Sequence, residues 1–217
     1  MKINKNLIML ILLLIFCISI STVSAADSID IQVDDVKNVN LEVVDASSQN
    51  DVKINNLQAG EGSFKELQGE IDNAIEGATI ILTKNYKFSG TNDNDSIVIN
   101  KNLIIDGNGH TIDASNSTRF FVLNKSNIII KNIKFINAYS EAGAISCFGY
   151  KDIITNCTFT NCRANVSGGA IYWIGDMGTV SGCSFERCTA GVSGGAIYFF
   201  SGAVNGSVSG CNFTKCS

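Results

Sequence analysis

The chain has 217 residues, of which 45% are hydrophobic and 17% are charged, and its net charge is −4 at pH 7. An acidic chain has no electrostatic attraction for a phosphate backbone, so we expect no nucleic-acid partner. The sequence contains 20 glycines and no proline. The absence of proline suits β-strands, because every residue can donate its amide hydrogen to a neighbouring strand.

The N-terminus has the features of an export signal. Two lysines precede an apolar run over residues 7–20, and small residues follow it. We predict a secretory signal peptide over residues 1–26, cleaved after Ala25 or Ala26. A retained membrane anchor is the alternative, but the run is shorter than the roughly 20 residues that span a bilayer. We therefore expect a secreted or cell-surface protein without a membrane span, whose net charge falls from −4 to about −6 when the two lysines are removed.

Residues 27–62 are predicted to form a polar, acidic leader. Between Asp27 and Gly60, seven acidic residues accompany two lysines, and the apolar residues follow no period. We expect no function in this segment.

The next segment changes to helical spacing. Four apolar residues recur three or four positions apart: Phe64, Leu67, Ile71 and Ile75. Ser63 and Glu66 match a capping box, and Gly77 is placed to end a helix. We predict an amphipathic helix over residues 63–76 that buries all four apolar side chains and covers the first coil of the repeat that follows.

Residues 63–217 carry an internal repeat. The phrase Ser-Gly-Gly-Ala-Ile-Tyr occurs at 167–172 and again at 193–198, 26 residues later. Columns of like residues recur in steps of 24 to 28 residues. The columns are Ile105, Ile130, Ile154, Val180 and Val208; Phe135, Phe159, Phe185 and Phe213; and Ile99, Leu123, Cys147, Trp173 and Phe199.

This period indicates one supersecondary unit stacked on copies of itself. Short β-branched runs broken by Gly and Asn favour strands over a helical pair, whose apolar residues would be three and four apart. We predict an all-β fold, a parallel β-helix (solenoid) with coils of about 25 residues, spaced about 4.8 Å apart. Gly or Asn is expected where a turn needs positive φ. The last coil reaches Ser217 without a capping coil, so we expect either a chain truncated at its C-terminus or an edge covered by end-to-end self-association.

A resemblance to a known group of proteins adds to this interpretation. The string Leu-Ile-Ile-Asp-Gly-Asn-Gly-His-Thr-Ile-Asp at 103–113, the helix before it, and the Gly-Gly-Ala-Ile and Phe-x-x-Asn/Cys repeats resemble the adhesin-like right-handed parallel β-helix proteins of methanogenic archaea. The repeats are also similar to those of bacterial polymorphic outer membrane proteins. The resemblance covers about residues 63–217. It implies a right-handed, pectin lyase-like β-helix in an exported cell-surface module that binds polysaccharides or surface proteins of other cells, without catalysis or cofactor.

Two other functions remain open. Right-handed β-helices also carry polysaccharide lyases and glycoside hydrolases, and a structural cell-wall component is the third possibility. Catalysis would need a base near a sugar carbon or two carboxylates across the bond. Asp106, His110 and Asp113 are the weak candidates, but the same stretch is typical of a Gly-Asn-Gly turn. His110 aligns near Phe135, so we expect it to be partly interior, and we predict no convergent catalytic site.

Two sets of residues resemble cation sites. Residues 91–96, Thr-Asn-Asp-Asn-Asp-Ser, are similar to a calcium loop but lack its glycine, and a solvated turn is favoured. Four cysteines, at 157, 162, 183 and 188, have side chains that could ligate zinc. We expect neither site to hold a metal.

Six of the seven cysteines outside the signal form two columns. These are Cys157, Cys183 and Cys211, and Cys162, Cys188 and Cys216. Neighbours stacked about 4.8 Å apart fall within the Cα separation of a disulfide. Because a column of three cannot pair completely, we predict buried cysteine ladders, some of them oxidised after export, with incidental or cross-chain pairs as the alternative.

Surface chemistry is predicted from two residue types. Of seven Asn-x-Ser/Thr triplets, Asn94, Asn116 and Asn165 are the better glycosylation candidates, because others lie inside the repeat columns. Four tyrosines are potential stacking surfaces for sugars, although the last two follow a strand and are alternatively packed: Tyr139, Tyr150, Tyr172 and Tyr198.

Overall fold

The structure, a computed structural model, describes residues 60–217. These residues form a parallel β-solenoid of about six coils of about 25 residues, with one short helix near its start. The predicted signal peptide and almost all of the predicted leader lie outside the described residues. Within residues 60–217, no helix has both the length and the apolar character needed to cross a membrane.

Each coil adds one strand to each of up to four sheets. Helix α1 is Phe64–Asn73. The strands are β1 Gly62–Ser63, β2 Thr79–Ile81, β3 Tyr86–Lys87, β4 Ile97–Ile99, β5 Ile104–Asp106, β6 Thr111–Asp113, β7 Phe121–Leu123, β8 Ile129–Lys131, β9 Lys134–Ile136, β10 Tyr139–Ala142, β11 Ile145–Cys147, β12 Ile153–Thr155, β13 Thr158–Thr160, β14 Arg163–Ser167, β15 Ile171–Trp173, β16 Thr179–Ser181, β17 Ser184–Glu186, β18 Thr189–Ala190, β19 Ile197–Phe199, β20 Ser207–Ser209 and β21 Asn212–Thr214. Sheet A contains β1, β3, β6, β9, β13, β17 and β21; sheet B contains β2, β5, β8, β12, β16 and β20; sheet C contains β4, β7, β11, β15 and β19; sheet D contains β10, β14 and β18.

The predicted columns are confirmed as neighbouring positions in the parallel sheets. In sheet B the register joins the predicted members in order: Ile105, Ile130, Ile154, Val180 and Val208. In sheet C it joins Ile99, Leu123, Cys147, Trp173 and Phe199. The side chains alternate between inside and outside along each strand, as β geometry requires. A β-branched run thus places one side chain per strand of sheet B in the core.

Stacked phenylalanine rings fill the interior beneath sheet A. The ring centroids of Phe135, Phe159, Phe185 and Phe213 are separated in turn by 4.9, 5.0 and 4.9 Å. Burying such a side chain contributes about 1.5–3 kcal/mol relative to leaving it exposed. The first three rings are fully buried, whereas Phe213 is 47% exposed in the last layer of the stack.

Residues with positive φ turn the chain from sheet B to sheet A. The prediction of Gly or Asn there is confirmed in four coils, with φ between 52° and 61°: Asn132, Asn156, Gly182 and Gly210. The second coil differs, because two extra residues, Asn108 and Gly109, take the positive φ there instead of Gly107. Gly107 remains necessary for another reason: a Cβ atom at this position would lie 2.2 Å from the Ile133 side chain.

A second corner, after sheet A, also uses positive φ. Its members have φ between 52° and 58°: Asn137, Asn161, Arg187 and Lys215. The side chains here bond along the stack, because Asn161 Nδ2 donates to Asn137 Oδ1 at 3.3 Å and Arg187 Nε donates to Asn161 Oδ1 at 2.7 Å. The sequence did not predict this corner, since Arg and Lys are uncommon in the left-handed region.

Helix α1 caps the first coil, as the sequence predicts. Ser63 Oγ accepts the Glu66 amide hydrogen at 3.1 Å, and Glu66 Oε2 accepts the Ser63 amide hydrogen at 3.3 Å, which is the predicted capping box. Phe64, Leu67 and Ile71 are buried in the core. The helix therefore covers apolar surface that the first coil would otherwise expose to water.

Two details of the predicted cap are wrong. The helix ends at Asn73 rather than at residue 76, and Ile75 is 79% exposed. The Lys101 ammonium group donates to the Asp72 and Ala74 carbonyl oxygens at 2.6 and 2.8 Å. These hydrogen bonds give the carbonyl oxygens at the end of the helix a partner, so the helix ends about one turn before Gly77. The end of the predicted leader also differs, because Gly62 belongs to β1 and pairs with Tyr86 in sheet A.

Candidate functional site

Asp106 is held by the turn that follows strand β5. Its carboxylate accepts hydrogen bonds from Asn132 Nδ2 at 2.9 Å and from the Asn108 amide at 3.0 Å, and Lys131 Nζ lies 3.1 Å away. Burial raises the pKa of Asp106, but these donors outweigh it and the pKa is lowered. The group is therefore an ionised carboxylate that joins two coils.

The other two catalytic candidates have separate partners. Asp113 Oδ1 accepts hydrogen bonds from the Ser115 amide at 2.8 Å and from Asn137 Nδ2 at 3.1 Å. His110 Nδ1 lies 3.4 Å from Asn85 Oδ1. No hydrogen bond in the described structure joins any two of Asp106, His110 and Asp113. His110 is half-buried at a corner, and the residue in register with Phe135 is Ile112.

Residues 91–96 form a partly exposed turn that also anchors helix α1. The Asp93 carboxylate accepts amide hydrogens from Phe64 and Ser89, each at 3.0 Å, and from Lys65 and Asn94. Burial raises the pKa of Asp93, but the four backbone donors lower it further than burial raises it. The sequence could not indicate this role, because the helix and the carboxylate are almost 30 residues apart. Among residues 60–217, no group of three His, Cys, Asp or Glu side chains is arranged to hold a metal ion, at this loop or at the cysteines.

The structure places the six column cysteines at the two interior corners. Each one directly follows a residue with positive φ, where Ile133 and Ala138 stand in the third coil. Four of them, at 157, 162, 183 and 188, are at most 2% exposed, and those at 211 and 216 are half-buried in the last layer. All seven described cysteines are free thiols. The column thiols donate to backbone carbonyl oxygens, and neighbours within a column influence each other's pKa.

A buried carboxyl group, that of Asp152, lies near the seventh cysteine, Cys147. The Asp152 side chain beside it is fully buried, and Oδ1 accepts the Ile128 amide hydrogen at 2.9 Å, while Oδ2 has no partner in the described structure. Burial raises the pKa of Asp152 to about 7, against the lowering effect of the Ile128 and Gly149 amides. Burial, followed by the charge of Asp152, raises the pKa of Cys147. Sequence reasoning missed Asp152, since one acidic residue before a strand is an ordinary turn signal.

The three glycosylation candidates differ in accessibility. Asn116 and Asn165 are exposed, and Asn94 is half-buried. Asn165 Nδ2, the atom that would carry a glycan, donates to Glu141 Oε2 at 3.2 Å. Glycosylation of Asn165 would therefore replace this contact, whereas Asn116 has its side chain in solvent at a left-handed turn.

A cluster of aromatic and polar side chains lies on the outer face of sheet D. This sheet D surface consists of Tyr139, Glu141, Arg163 and Asn165. The Arg163 guanidinium group lies 5.8 Å from the centre of the Tyr139 ring, and the Tyr139 hydroxyl donates to Asn165 Oδ1 at 3.0 Å. Residues of two consecutive coils thus hold one exposed ring in a fixed orientation.

A shallow groove of about 280 Å³ adjoins these side chains. Its lining residues come from β14, β18 and the position after β18: Arg163, Ala164, Asn165, Thr189, Ala190 and Gly191. The floor is made of small residues, and its polar edge is Arg163 and Asn165. Such an opening accepts a flat polar ligand rather than a deeply enclosed one.

Two further tyrosines stack on the outer face of sheet C. The rings of Tyr172 and Tyr198 are 5.6 Å apart with planes 14° from parallel. The Arg119 side chain lies on the same face and donates to Ser146 Oγ at 2.9 Å. Burial lowers the pKa of Arg119, although the charge of Glu141 acts in the opposite direction. Both tyrosines are half-buried. The sequence left open an exposed stacking surface or a packed side chain, and the structure lies between the two.

The repeated phrase has a structural explanation at the edge of this face. The first glycine of each copy, Gly168 or Gly194, has φ of 65° or 63°. A Cβ atom on either glycine would lie 2.3 or 2.4 Å from the carbonyl oxygen of the isoleucine three residues later. Only glycine fits there, so the phrase marks the tight return from sheet D to sheet C.

The chain matches no known protein-family model, no curated protein and no solved structure with which it was compared.

Proposed function

We propose that the protein is an exported, non-catalytic, adhesin-like module that binds glycans of cell surfaces through the sheet D surface. The observation that carries this proposal is the Tyr139 ring, which is 39% exposed and flanked by polar groups of two coils. Export rests on the signal-like N-terminus, and the adhesin-like character rests on the repeats described above.

The chemistry of this surface suits a sugar. A sugar ring has an apolar face of C–H groups, which packs against an aromatic ring, and hydroxyl groups at its edge, which need donors and acceptors. Arg163 supplies donors, Glu141 supplies acceptors and Asn165 supplies both. The presence of both charge signs favours neutral or mixed polymers over strongly anionic ones.

The scaffold suits an extended ligand. Strands β10 and β14 pair in parallel, with Tyr139 opposite Arg163. Groups on consecutive coils are separated by the strand spacing of about 4.8 Å, and sites on strands are held more firmly than sites on loops. The Tyr172 and Tyr198 pair on sheet C provides a second apolar patch for a longer chain.

The test uses the full chain, produced with its own N-terminal segment. Secreted protein is incubated with immobilised plant, host and microbial polysaccharides, and both retained protein and newly released reducing or unsaturated ends are measured. We expect retention on at least one polymer without release. Tyr139→Ala should weaken that retention by at least about tenfold, or about 1.4 kcal/mol.

Tyr150→Ala is the matched control, because Tyr150 is 44% exposed and also lies beside a cation, with Lys151 Nζ 5.0 Å from the ring centre. We expect it to change retention less than twofold. Equal retention of the Tyr139 variant and the wild type would contradict the proposed surface. Release of new ends would favour the lyase or hydrolase alternative, and association without any glycan would favour the structural wall component.

A further inference from the structure

The two cysteine columns are aligned by the sheets on either side of them. The residues that flank Cys157 pair in register with those that flank Cys183, and the same holds one coil later for Cys183 and Cys211. The Cys157 amide lies 3.4 Å from the Cys183 sulfur atom. The second column, Cys162 to Cys216, is held at the other end of the same sheet A strands.

This spacing limits which sulfur atoms can bond. Adjacent coils are about 4.8 Å apart, within the usual Cα range of about 4.4–6.8 Å for a disulfide. The outer members of one column are two coils apart, at roughly 9.6 Å, beyond the limit of about 7 Å. The two columns are separated by an extended strand, β13 in the case of Cys157 and Cys162, which gives roughly 16 Å. A disulfide can therefore join only direct column neighbours.

We infer that each column is a redox site that takes up one disulfide at a time, always formed by its central cysteine, Cys183 or Cys188, with either neighbour. The oxidant would be a small disulfide such as oxidised glutathione. In the net reaction, two cysteine thiols and one small disulfide give one protein disulfide and two small thiols. One cysteine in each column, together with Cys147, remains reduced.

Cys211 and Cys216, the half-buried members of the two columns, are the first to react with the oxidant. The Cys211 thiolate attacks the small disulfide, forms a mixed disulfide and releases the first small thiolate. The Cys183 thiolate then attacks the Cys211 sulfur and releases the second. The two protons lost by the cysteine thiols protonate the two released thiolates, so the step balances.

The disulfide can then move along the column. The Cys157 thiolate attacks the Cys183 sulfur, a bond forms between them, and the Cys183–Cys211 bond breaks to release the Cys211 thiolate. Thiol–disulfide exchange needs the three sulfur atoms nearly in line. The in-register strands on either side stack the three cysteines of a column one above another, which favours that alignment.

The acidity of the central thiols supports one step of this sequence, the attack of Cys183 on the mixed disulfide at Cys211. Hydrogen bonds from Cys157 and Cys162, their neighbours in the preceding coil, lower the pKa of Cys183 and Cys188 against the effect of burial. Burial raises the pKa of those two neighbours themselves. The central sulfur is thus the best thiolate in each column. This site does not rest on glycan binding by the sheet D surface.

Peptide mapping tests the inference on the full chain. The reduced protein is incubated with oxidised glutathione, denatured with N-ethylmaleimide and digested with trypsin. Cleavage after Arg163, Arg187 and Lys215 places the three cysteines of each column on different peptides, and fragment spectra distinguish Cys157 from Cys162 and Cys188 from Cys211, which share a peptide. We expect only the links 157–183, 183–211, 162–188 and 188–216. In each oxidised column, the maleimide should label the one outer cysteine that is not part of the link.

Variants keep the outcome decisive. Cys183→Ser should remove both links of the first column and keep those of the second. Cys157→Ser should keep 183–211 as the one link of the first column. Cys211→Ser should slow oxidation of the first column at least tenfold. Cys147→Ser is the control and should change no link. Circular dichroism of each reduced variant checks that it is folded.

Three results would overturn the inference. They are a link between the columns or to Cys147, a link between the outer members of one column, and failure of both columns to oxidise while the maleimide shows that Cys211 and Cys216 are accessible. Loss of glycan retention with the expected links present would instead count against the proposed function only.

Discussion

The side chain of Gln68 makes both hydrogen bonds of a strand partner to Val98. The Val98 amide donates to Gln68 Oε1 at 2.7 Å, and Gln68 Nε2 donates to the Val98 carbonyl oxygen at 3.0 Å. Val98 is the middle residue of β4, the first strand of sheet C. One side chain of the helix therefore closes the sheet edge at the point where an unpaired strand would otherwise invite association.

Replacing Gln68 should expose this edge. In the Gln68→Ala variant, the amide and carbonyl of Val98 lose their partners, so we expect the free energy of unfolding to fall by about 1–3 kcal/mol. Urea unfolding at pH 7 measures it. Lys65→Ala, on the exposed side of the same helix, is the control and should stay within about 0.5 kcal/mol of the wild type. Equal stabilities of the two variants would show that water replaces Gln68 without loss.

Asp93 should stabilise the start of the same helix. Asp93→Asn keeps the shape but weakens the bonds to the Phe64 and Lys65 amides, and loss of a helix cap typically lowers the free energy of unfolding by about 0.5–2 kcal/mol. Because the pKa of Asp93 is lowered in the folded chain, its contribution is complete above about pH 4, the unfolded value, and is lost as the pH falls below that.

Urea titrations at pH 7 and pH 3 check this pH dependence. The wild type should exceed the Asp93→Asn variant in free energy of unfolding at pH 7, and this difference should be smaller at pH 3. Asp95→Asn, which removes an exposed carboxylate from the same loop, should leave the stability nearly unchanged at both values. A constant difference between wild type and Asp93→Asn would sink the electrostatic explanation.

Local and periodic features of this fold could be predicted from the sequence. The Ser63–Glu66 capping box depends on residues three positions apart, and the ladder from Ile105 to Val208 depends on a fixed period, so both are visible in one dimension. The end of the helix was missed by three residues. Its position depends on Lys101, which is 27 residues or more from the carbonyl oxygens it binds.

The candidate site was harder to predict for the same physical reason. Tyr139 was identified as a stacking surface, but its partners Arg163 and Asn165 lie one coil later, and no motif links them. Asp93 and Asp152 were missed because their roles arise from amide groups of another coil or of the helix. A repeat predicts which residues stack on one another. It does not predict which single side chains bond to backbone groups of another coil or of the helix.

The first glycine of the repeated phrase should be irreplaceable, in contrast to a glycine of the helix. Gly168→Ala forces a Cβ atom into the left-handed region and to 2.3 Å from a backbone oxygen, so we expect at least about 2 kcal/mol of destabilisation. Gly69 lies in helix α1 with nothing within 4 Å of its Cβ position. Gly69→Ala should therefore stabilise the protein by about 0.5–1 kcal/mol.

Thermal unfolding of these two variants compares them directly. The melting temperature should fall for Gly168→Ala and rise for Gly69→Ala. A rise or no change at position 168 would mean that the turn between sheets D and C relaxes to admit a side chain, and the explanation of the repeated phrase would then fail.

Asp152 should make the stability depend on pH near neutrality. Its folded pKa is about 7, above the ordinary aspartate value of 3.8. Between about pH 4 and pH 7 the folded chain therefore binds more protons than the unfolded chain, and the stability falls as the pH rises through this window. Above pH 7, the folded state carries a buried carboxylate with one oxygen unpaired in the described structure.

Asp152→Asn replaces this group by a neutral one of the same size. Relative to the wild type, the variant should gain stability as the pH rises from 5 to 8, and by pH 8 we expect it to be more stable by about 1–3 kcal/mol, the usual penalty for a buried polar group without a partner. Urea unfolding at pH 5, 6, 7 and 8 gives the difference. Asp176→Asn, in the equivalent loop one coil later, is the control. Its difference in free energy of unfolding from the wild type should stay the same at the four pH values. Parallel curves for Asp152→Asn as well would mean that the carboxyl group is already charged and solvated at pH 5, because only an uncharged buried acid makes the two curves diverge.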